Sequence, residues 1–285
     1  MALTVNTNIS SISAQRSLNS STNDLQTSLQ RLSSGLRVNS ARDDASGLAI
    51  ANRINSQIRG STVAARNAND GISVAQTADG ALAAITDTLQ RQRDLAVQAA
   101  NGGVVTSSDR QKLQTEFKQL GQEIDRIIKN TTFNGKQILN GSLNAGAVFQ
   151  VGANTATDNQ ITFSITSTAK LTGLSAVLGT NNGLSIGSAA TVANIRTVID
   201  KIDLALNNID TTRATLGAVQ NRFTTTISNL NSSIENQSAS RSRIIDADFA
   251  SETANLSRNQ ILQQAGTAIL SQANQSNQGV LSLLR

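Results

Sequence analysis

The chain has 285 residues, an apolar fraction of 38%, aromatics at only 2% and a formal net charge of +5. It contains no His and no Cys, which excludes disulfides, thiolate or imidazole metal ligation, and catalytic sites that depend on a His base. The basic residues are dispersed, and with no Trp or Tyr and six Phe the chain lacks the aromatic-bearing basic patch that nucleic-acid binding calls for.

Chain length allows a sizeable core and two domains. An interior of Ala, Leu, Ile and Val suits narrow helical bundles, and the absence of Pro permits long uninterrupted helices. No apolar run reaches the ~18 residues of a membrane span, so no membrane insertion is expected. The N-terminal stretch has no apolar core of a cleavable signal peptide, which on composition alone argues for the cytoplasm.

Residues 5–33 read as a helix. Val5, Ile9 and Ile12 lead into Leu18, Leu25, Leu29, Leu32 and Leu36, a stripe at helical spacing. Gly35 and the polar run 39–44 interrupt it. Paired carboxylates at Asp43 and Asp44 could suggest acid–base or metal chemistry, but at a helix start they read as caps. A long helix follows over about 45–100, with Ala75, Ala78, Leu82, Ile85 and Leu89 in alternating steps of three and four. Asn101, Gly102 and Gly103 end it. Ser108 with Gln111 fits a capping box for a third helix, whose seam is Leu113, Phe117, Leu120, Ile124 and Ile127.

The segment 133–187 is rich in Gly, Asn, Thr and Ser. Within it 148–151 and 161–165 predict a β-hairpin across a polar turn. Helical period returns over about 190–236, through Ile195, Ile199, Ile202, Leu206, Ile209, Leu216, Val219, Phe223, Ile227, Leu230 and Ile234. A last helix spans roughly 247–282, with Leu262, Ala265, Ile269 and Ala273 on one face and Leu281, Leu283 and Leu284 beyond. The expected fold is mainly α, with long antiparallel helices in coiled-coil or bundle layers and a small β-hairpin region at the tip. Residues 1–44 with 240–285 form an inner terminal-helix domain. Residues 45–239 form a helical bundle with the hairpin, and no large outer domain is expected.

A helix with one apolar stripe must bury it against something. Two such ends on one chain point to pairing with each other or with further copies, and so to assembly. No Gly-containing stretch has the spacing or strand context of a phosphate loop, and no nucleophile–base or metal constellation can be drawn, so an enzyme and a resident cofactor are not expected.

Several motifs carry a resemblance. Residues 30–53 (QRLSSGLRVNSARDDASGLAIANR), 66–72 (RNANDGI) and 133–139 (FNGKQIL) resemble the N-terminal signature of bacterial flagellin. Residues 216–223 (LGAVQNRF), 261–266 (ILQQAG) and 281–285 (LSLLR) resemble its C-terminal signature. The likeness covers roughly 1–165 and 195–285, and departs at 238–243, where the family usually reads more compactly. It implies a near-minimal subunit of the extracellular flagellar filament, exported uncleaved through the flagellar type III channel. Implied partners are further copies of the chain, hook-associated junction and cap proteins, and an export chaperone at the C-terminal helix. Vertebrate Toll-like receptor five and NAIP-type receptors are implied on the host side.

The expected assembly residues are Val5, Ile9, Ile12, Leu25, Leu29, Leu32, Leu36, Leu262, Ile269, Leu281, Leu283 and Leu284. Gln90, Arg91, Leu95 and Glu116 match the family's Toll-like-receptor surface, and 280–285 match the segment seen by the chaperone and NAIP-type receptors. On residue chemistry alone the first set reads as a solvated charged face with a partly buried leucine. The zinc-protease insert of some flagellins is impossible without His, and glycans of the kind some members carry would fall in 140–190. Two other readings remain open: a hook–filament junction protein, and an intracellular coiled-coil adaptor.

Overall fold

The computed structural model describes residues 7–165 and 185–283, with side chains through residue 275. Val5, the side chains of Leu281 and Leu283, and Leu284 lie outside the described residues, as do residues 166–184 of the β-rich middle. The fold is mainly α. Helices α1 (Ile9–Ser34), α2 (Ala45–Ala100) and α3 (Ser107–Asn130) are followed by strands β1 (Thr132–Phe133), β2 (Lys136–Gln137), β3 (Ala147–Gln150) and β4 (Gln160–Phe163). Two long helices complete the chain, α4 (Val192–Ile245) and α5 (Phe249–Leu283). Contacts divide it into two units, Met1–Gln57 with Glu235–Arg285, and Ile58–Ile234. On the N-terminal side this division falls beyond the expected boundary at residue 44. The reason is that the first turns of α2 pack with the chain ends, in a small core of Val38, Ala51 and Ile245 flanked by Leu36, Leu48 and Ile244.

In the first unit α1 begins after Asn8, whose side-chain carbonyl accepts a hydrogen bond from the Ser11 N–H at 3.0 Å. It ends at Gly35, where φ is 70° and the glycine N–H donates to the Arg31 carbonyl at 2.8 Å. The chain then pairs with the α4–α5 junction. Arg37 N–H donates to Ile245 C=O at 2.7 Å, and Ala247 N–H to Gly35 C=O at 2.9 Å. Asp248 caps α5 by accepting from Ala250 N–H at 3.0 Å.

The two aspartates before α2 divide their work. Asp44 accepts from Gly47 N–H at 2.8 Å and caps α2. Asp43 instead accepts from Ser40 N–H at 2.8 Å and Asn39 N–H at 3.1 Å, closing the preceding turn, so only one of the expected pair is a helix cap. Both carboxyls are held below the usual aspartate value, Asp44 chiefly by the Gly47 N–H and Asp43 chiefly by the Ser40 N–H.

The second unit buries one continuous core built from α2, α3, the β3–β4 hairpin and α4. On α2 the seam is the one the periodicity predicts, Ala75, Ala78, Leu82, Ile85 and Leu89. On α4 Ile195, Ile202 and Ile209 are buried as expected, but Val198 and Ala205 take the places expected of Ile199 and Leu206, which are only half-buried. Ion pairs cross the seam at the surface, Arg93 with Asp203 at 2.7 Å and Arg213 with Asp79 at 2.8 Å. At that exposure each contributes about 0–1 kcal/mol. The cap of α3 differs from the expected Ser108–Gln111 box. Thr106 is the cap; its hydroxyl accepts from Asp109 N–H at 3.2 Å and donates to the Asp109 carboxylate at 2.7 Å, a reciprocal pair two residues upstream.

The hairpin pairs antiparallel, with Ala147 opposite Phe163 and Gln150 opposite Gln160; each strand starts one residue earlier than expected, and the second ends two residues earlier. It brings Phe149 and Phe163 into a stack at 5.5 Å, with Phe223 of α4 edge-on at 5.6 and 6.4 Å. Gly71 of α2 makes room for this cluster, because a Cβ there would sit 2.6 Å from the Phe223 ring. A second, unexpected hairpin pairs β1 with β2 through Asn134 and Gly135, both at positive φ, as an Asn-Gly turn favours.

Candidate functional site

Helices α1 and α5 run antiparallel. Asn8 donates to Ala273 C=O at 2.9 Å near one end, Leu18 lies against Gly266, and Arg31 pairs with Glu252 at 3.8 Å toward the other. The residues drawn inward on α1 are Ser11, Ala14, Leu18, Ser21, Leu25, Ser28 and Leu32, in alternating steps of three and four. Those on α5 are Glu252, Leu256, Asn259, Gln263, Gly266, Leu270 and Ala273, with the same alternation. This is a heptad seam, but Ser, Ala, Asn, Gln and Gly hold most of its positions.

A second set of large apolar side chains points the other way. Ile9, Ile12, Leu29, Phe249, Ile261, Leu262 and Ile269 retain between 47% and 69% of their accessible surface. Of the expected assembly residues, Leu25, Leu32 and Leu36 are therefore half-buried inside the unit. Ile9, Ile12, Leu29, Leu262 and Ile269 face outward. Isolated exposed leucines are ordinary, but several large aliphatics on one helix pair make a surface that water penalises.

The second expected set splits as well. Arg91 on α2 and Glu116 on α3 form a bidentate-donor pair, with Arg91 Nε at 2.9 Å and Nη2 at 2.6 Å from one carboxylate oxygen, and Gln90 beside them is exposed. Leu95, by contrast, is only 2% exposed and belongs to the main core. Its place one turn after Arg91 does not put it on the same surface, because α2 turns its buried seam through Leu95 and Ala96. Between them Gln92 is fully buried and donates to Phe117 C=O at 2.9 Å. Its position in the seam, one step after Leu89, is readable in the sequence once polar residues are admitted to seam positions.

Among the described residues no group of His, Cys, Asp or Glu could hold a metal ion, and no helix is long and apolar enough to cross a membrane.

Known proteins supply the context for this arrangement. The bacterial flagellin N-terminal helical region matches residues 5–144, and the bacterial flagellin C-terminal helical region matches residues 199–284. Flagellin B of Vibrio anguillarum is 38% identical over 377 aligned positions, covering 100% of both chains. Flagellin A of Vibrio cholerae is 38% identical over 381 positions, again covering 100% of both. Among solved structures, a Bacillus cereus flagellin is 32% identical with a TM-score of 0.48, covering 58% of this chain and 88% of that one. A putative flagellar hook-associated protein from Vibrio parahaemolyticus is 13% identical with a TM-score of 0.58, covering 72% of this chain and 100% of that one, a likeness of fold alone.

Proposed function

The chain belongs to the bacterial flagellin family, as a structural subunit of the extracellular flagellar filament, and from that premise we propose that the outward faces of α1 and α5 are its polymerisation surface. Among the described residues there is no large outer domain. The observation that carries the proposal is the division within the helix pair: small and polar residues share the seam with Leu18, Leu25, Leu32, Leu256 and Leu270, while Ile9, Ile12, Leu29, Leu262 and Ile269 stay in water. Burial of apolar area is the main favourable term in association, and in a homopolymer the cover comes from other copies. Val5, Leu281, Leu283 and Leu284 extend the same apolar character at the chain ends. The unit formed by Met1–Gln57 with Glu235–Arg285 carries this surface.

The test is polymerisation of purified protein onto preformed filament seeds, followed by sedimentation and electron microscopy. Long fibres of this chain support the reading. Short particles that do not elongate would favour a hook–filament junction role, and the full-length identity to flagellins weighs against that.

Two finer roles follow from family membership. Export proceeds through the flagellar type III channel without cleavage, with the chaperone engaging the C-terminal helix; mass spectrometry of shed filaments reading an intact N-terminal segment tests this. Host Toll-like receptor five docks on Gln90, Arg91 and Glu116, whose exposed side chains support a contact, while Leu95 acts from beneath by holding α2 in place. NAIP-type receptors engage 280–285. A truncation lacking 280–285 that still triggers those receptors would remove the last assignment.

A further inference from the structure

A groove of ≈ 490 Å³ runs between α1 and α5, with Ala14 and Gly266 at its base and the exposed Ser13, Ser17, Ile9 and Ile269 on its rim. Its depth has a simple cause. Gly266 has no Cβ and lets the Leu18 side chain approach to within 3.2 Å of where that Cβ would be, so the helices draw close and the short serines leave space above. None of the residues lining it is charged, and both rim isoleucines are more than half exposed. Leu29, Phe249 and Ile261 project from the same helix pair but do not line the groove. Leu29 is twenty residues beyond Ile9, roughly 30 Å along the helix.

We propose that this groove is the socket that receives an apolar side chain from a second copy of the chain, so that filament growth proceeds by a knob on one subunit entering a hole on the next. This rests on the assembly reading above and adds the place and polarity of one contact. A hole and a set of knobs on different patches of one surface make a head-to-tail interface, which propagates instead of closing into a dimer. The second copy is the occupant because the assembly is built of this chain, and because the same unit exposes Leu29, Phe249 and Ile261, large apolar side chains outside the groove that remain uncovered within the chain.

The test fills the hole without touching the helix seam. Ser17 is exposed on α1, and Ser17→Leu replaces a weaker helix former with a stronger one, so the subunit keeps its fold. A merely sticky surface would polymerise better with the extra leucine. A socket predicts the reverse: Ser17→Leu, and Ser13→Leu beside it, raise the critical concentration about tenfold or more, as overpacking of a fitted contact does, while Ser17→Ala grows as wild type. Growth of both leucine variants at the wild-type critical concentration overturns the socket. If Leu262→Ser with Ile269→Ser still blocks growth in that case, the assembly surface stands and only the socket is lost. If the leucine variants elongate normally but no longer start on hook-capped seeds, the groove belongs to a junction protein and the proposal also fails.

Discussion

Replacing Leu262 and Ile269 together by serine puts the assembly surface to a quantitative test. Both side chains lie outside the seam, with 47% and 56% of their surface still in water. Fully burying a Leu or Ile is worth about 1.5–3 kcal/mol, so the half that remains to be buried is worth about 1 kcal/mol for each, or about 2 kcal/mol for the pair. Each 1.4 kcal/mol is a factor of ten in an equilibrium constant, so the double variant should need roughly thirtyfold more free subunit before filaments form. The single subunit should hardly notice, since surface substitutions of this kind usually move stability by no more than about 0.5 kcal/mol. The assay is the concentration of unpolymerised protein left after seeded growth, read by sedimentation, with far-UV circular dichroism and thermal melting of the subunit alongside. An unchanged critical concentration with an unchanged subunit would refute the reasoning. A large loss of subunit stability would mean that these residues pack within the chain and that the two faces of α5 have been misassigned.

Other outcomes follow from the same geometry. Phe223→Ala should destabilise the second unit by about 3–5 kcal/mol in urea unfolding, and Gly71→Ala by about 1–3 kcal/mol, because a methyl at 71 collides with the ring that Phe223→Ala removes; the double variant should therefore cost less than the sum. Arg91→Ala should leave thermal stability almost unchanged, since its partner Glu116 is exposed, yet reduce signalling in a Toll-like receptor five reporter line. Leu95→Ala should lower stability by about 2–5 kcal/mol, so any signalling lost with it should return when the fold is stabilised by polymerisation or cold. Asp44 has its acidity strengthened by the Gly47 N–H, so its contribution is present above the ordinary aspartate value of 3.8 and disappears as pH falls through the lower folded value. Asp44→Asn keeps an acceptor at the cap and should flatten that part of the acid-unfolding curve measured below 3.8.

Much of the architecture was legible because the seams of the second unit are almost wholly apolar, buried Gln92 of α2 being an exception. Ile195, Ile202 and Ile209 recur at the coiled-coil interval with nothing polar between them in the seam, and they are fully buried. The terminal pair was harder to read. Apolar periodicity locates a stripe on α5 at Leu262, Ala265 and Ile269, and leaves open whether that stripe meets the partner helix or a further copy. In the folded chain the partner meets Gln263, Gly266 and Leu270. Small and amide side chains allow close helix approach and give no signal in an apolar count, so the sequence located the helix but did not say which face was inward.

Leu95 illustrates the same problem on α2, where a spacing of four from exposed Arg91 suggested a common surface. A helix advances about 100° per residue, so a shift of four moves the side chain by about 40°, enough at the edge of a seam to pass from solvent to core. The Phe149, Phe163 and Phe223 cluster joins residues distant in sequence and needs the fold to be seen. The β1–β2 turn at Asn134 and Gly135 does have a local signal, the Asn-Gly pair, but its flanking strands are only two residues long and carry no alternation.

The chain has no cysteine, so a single thiol reports on one position without interference. Ile269→Cys places that thiol on the outward face of α5, where a labelling reagent reaches it freely in the subunit. The account predicts rapid labelling before polymerisation, a steep fall in rate once the protein is in filaments, and recovery when the filaments are dissociated. A thiol at 269 that reacts as fast in the filament as in the free subunit would contradict it.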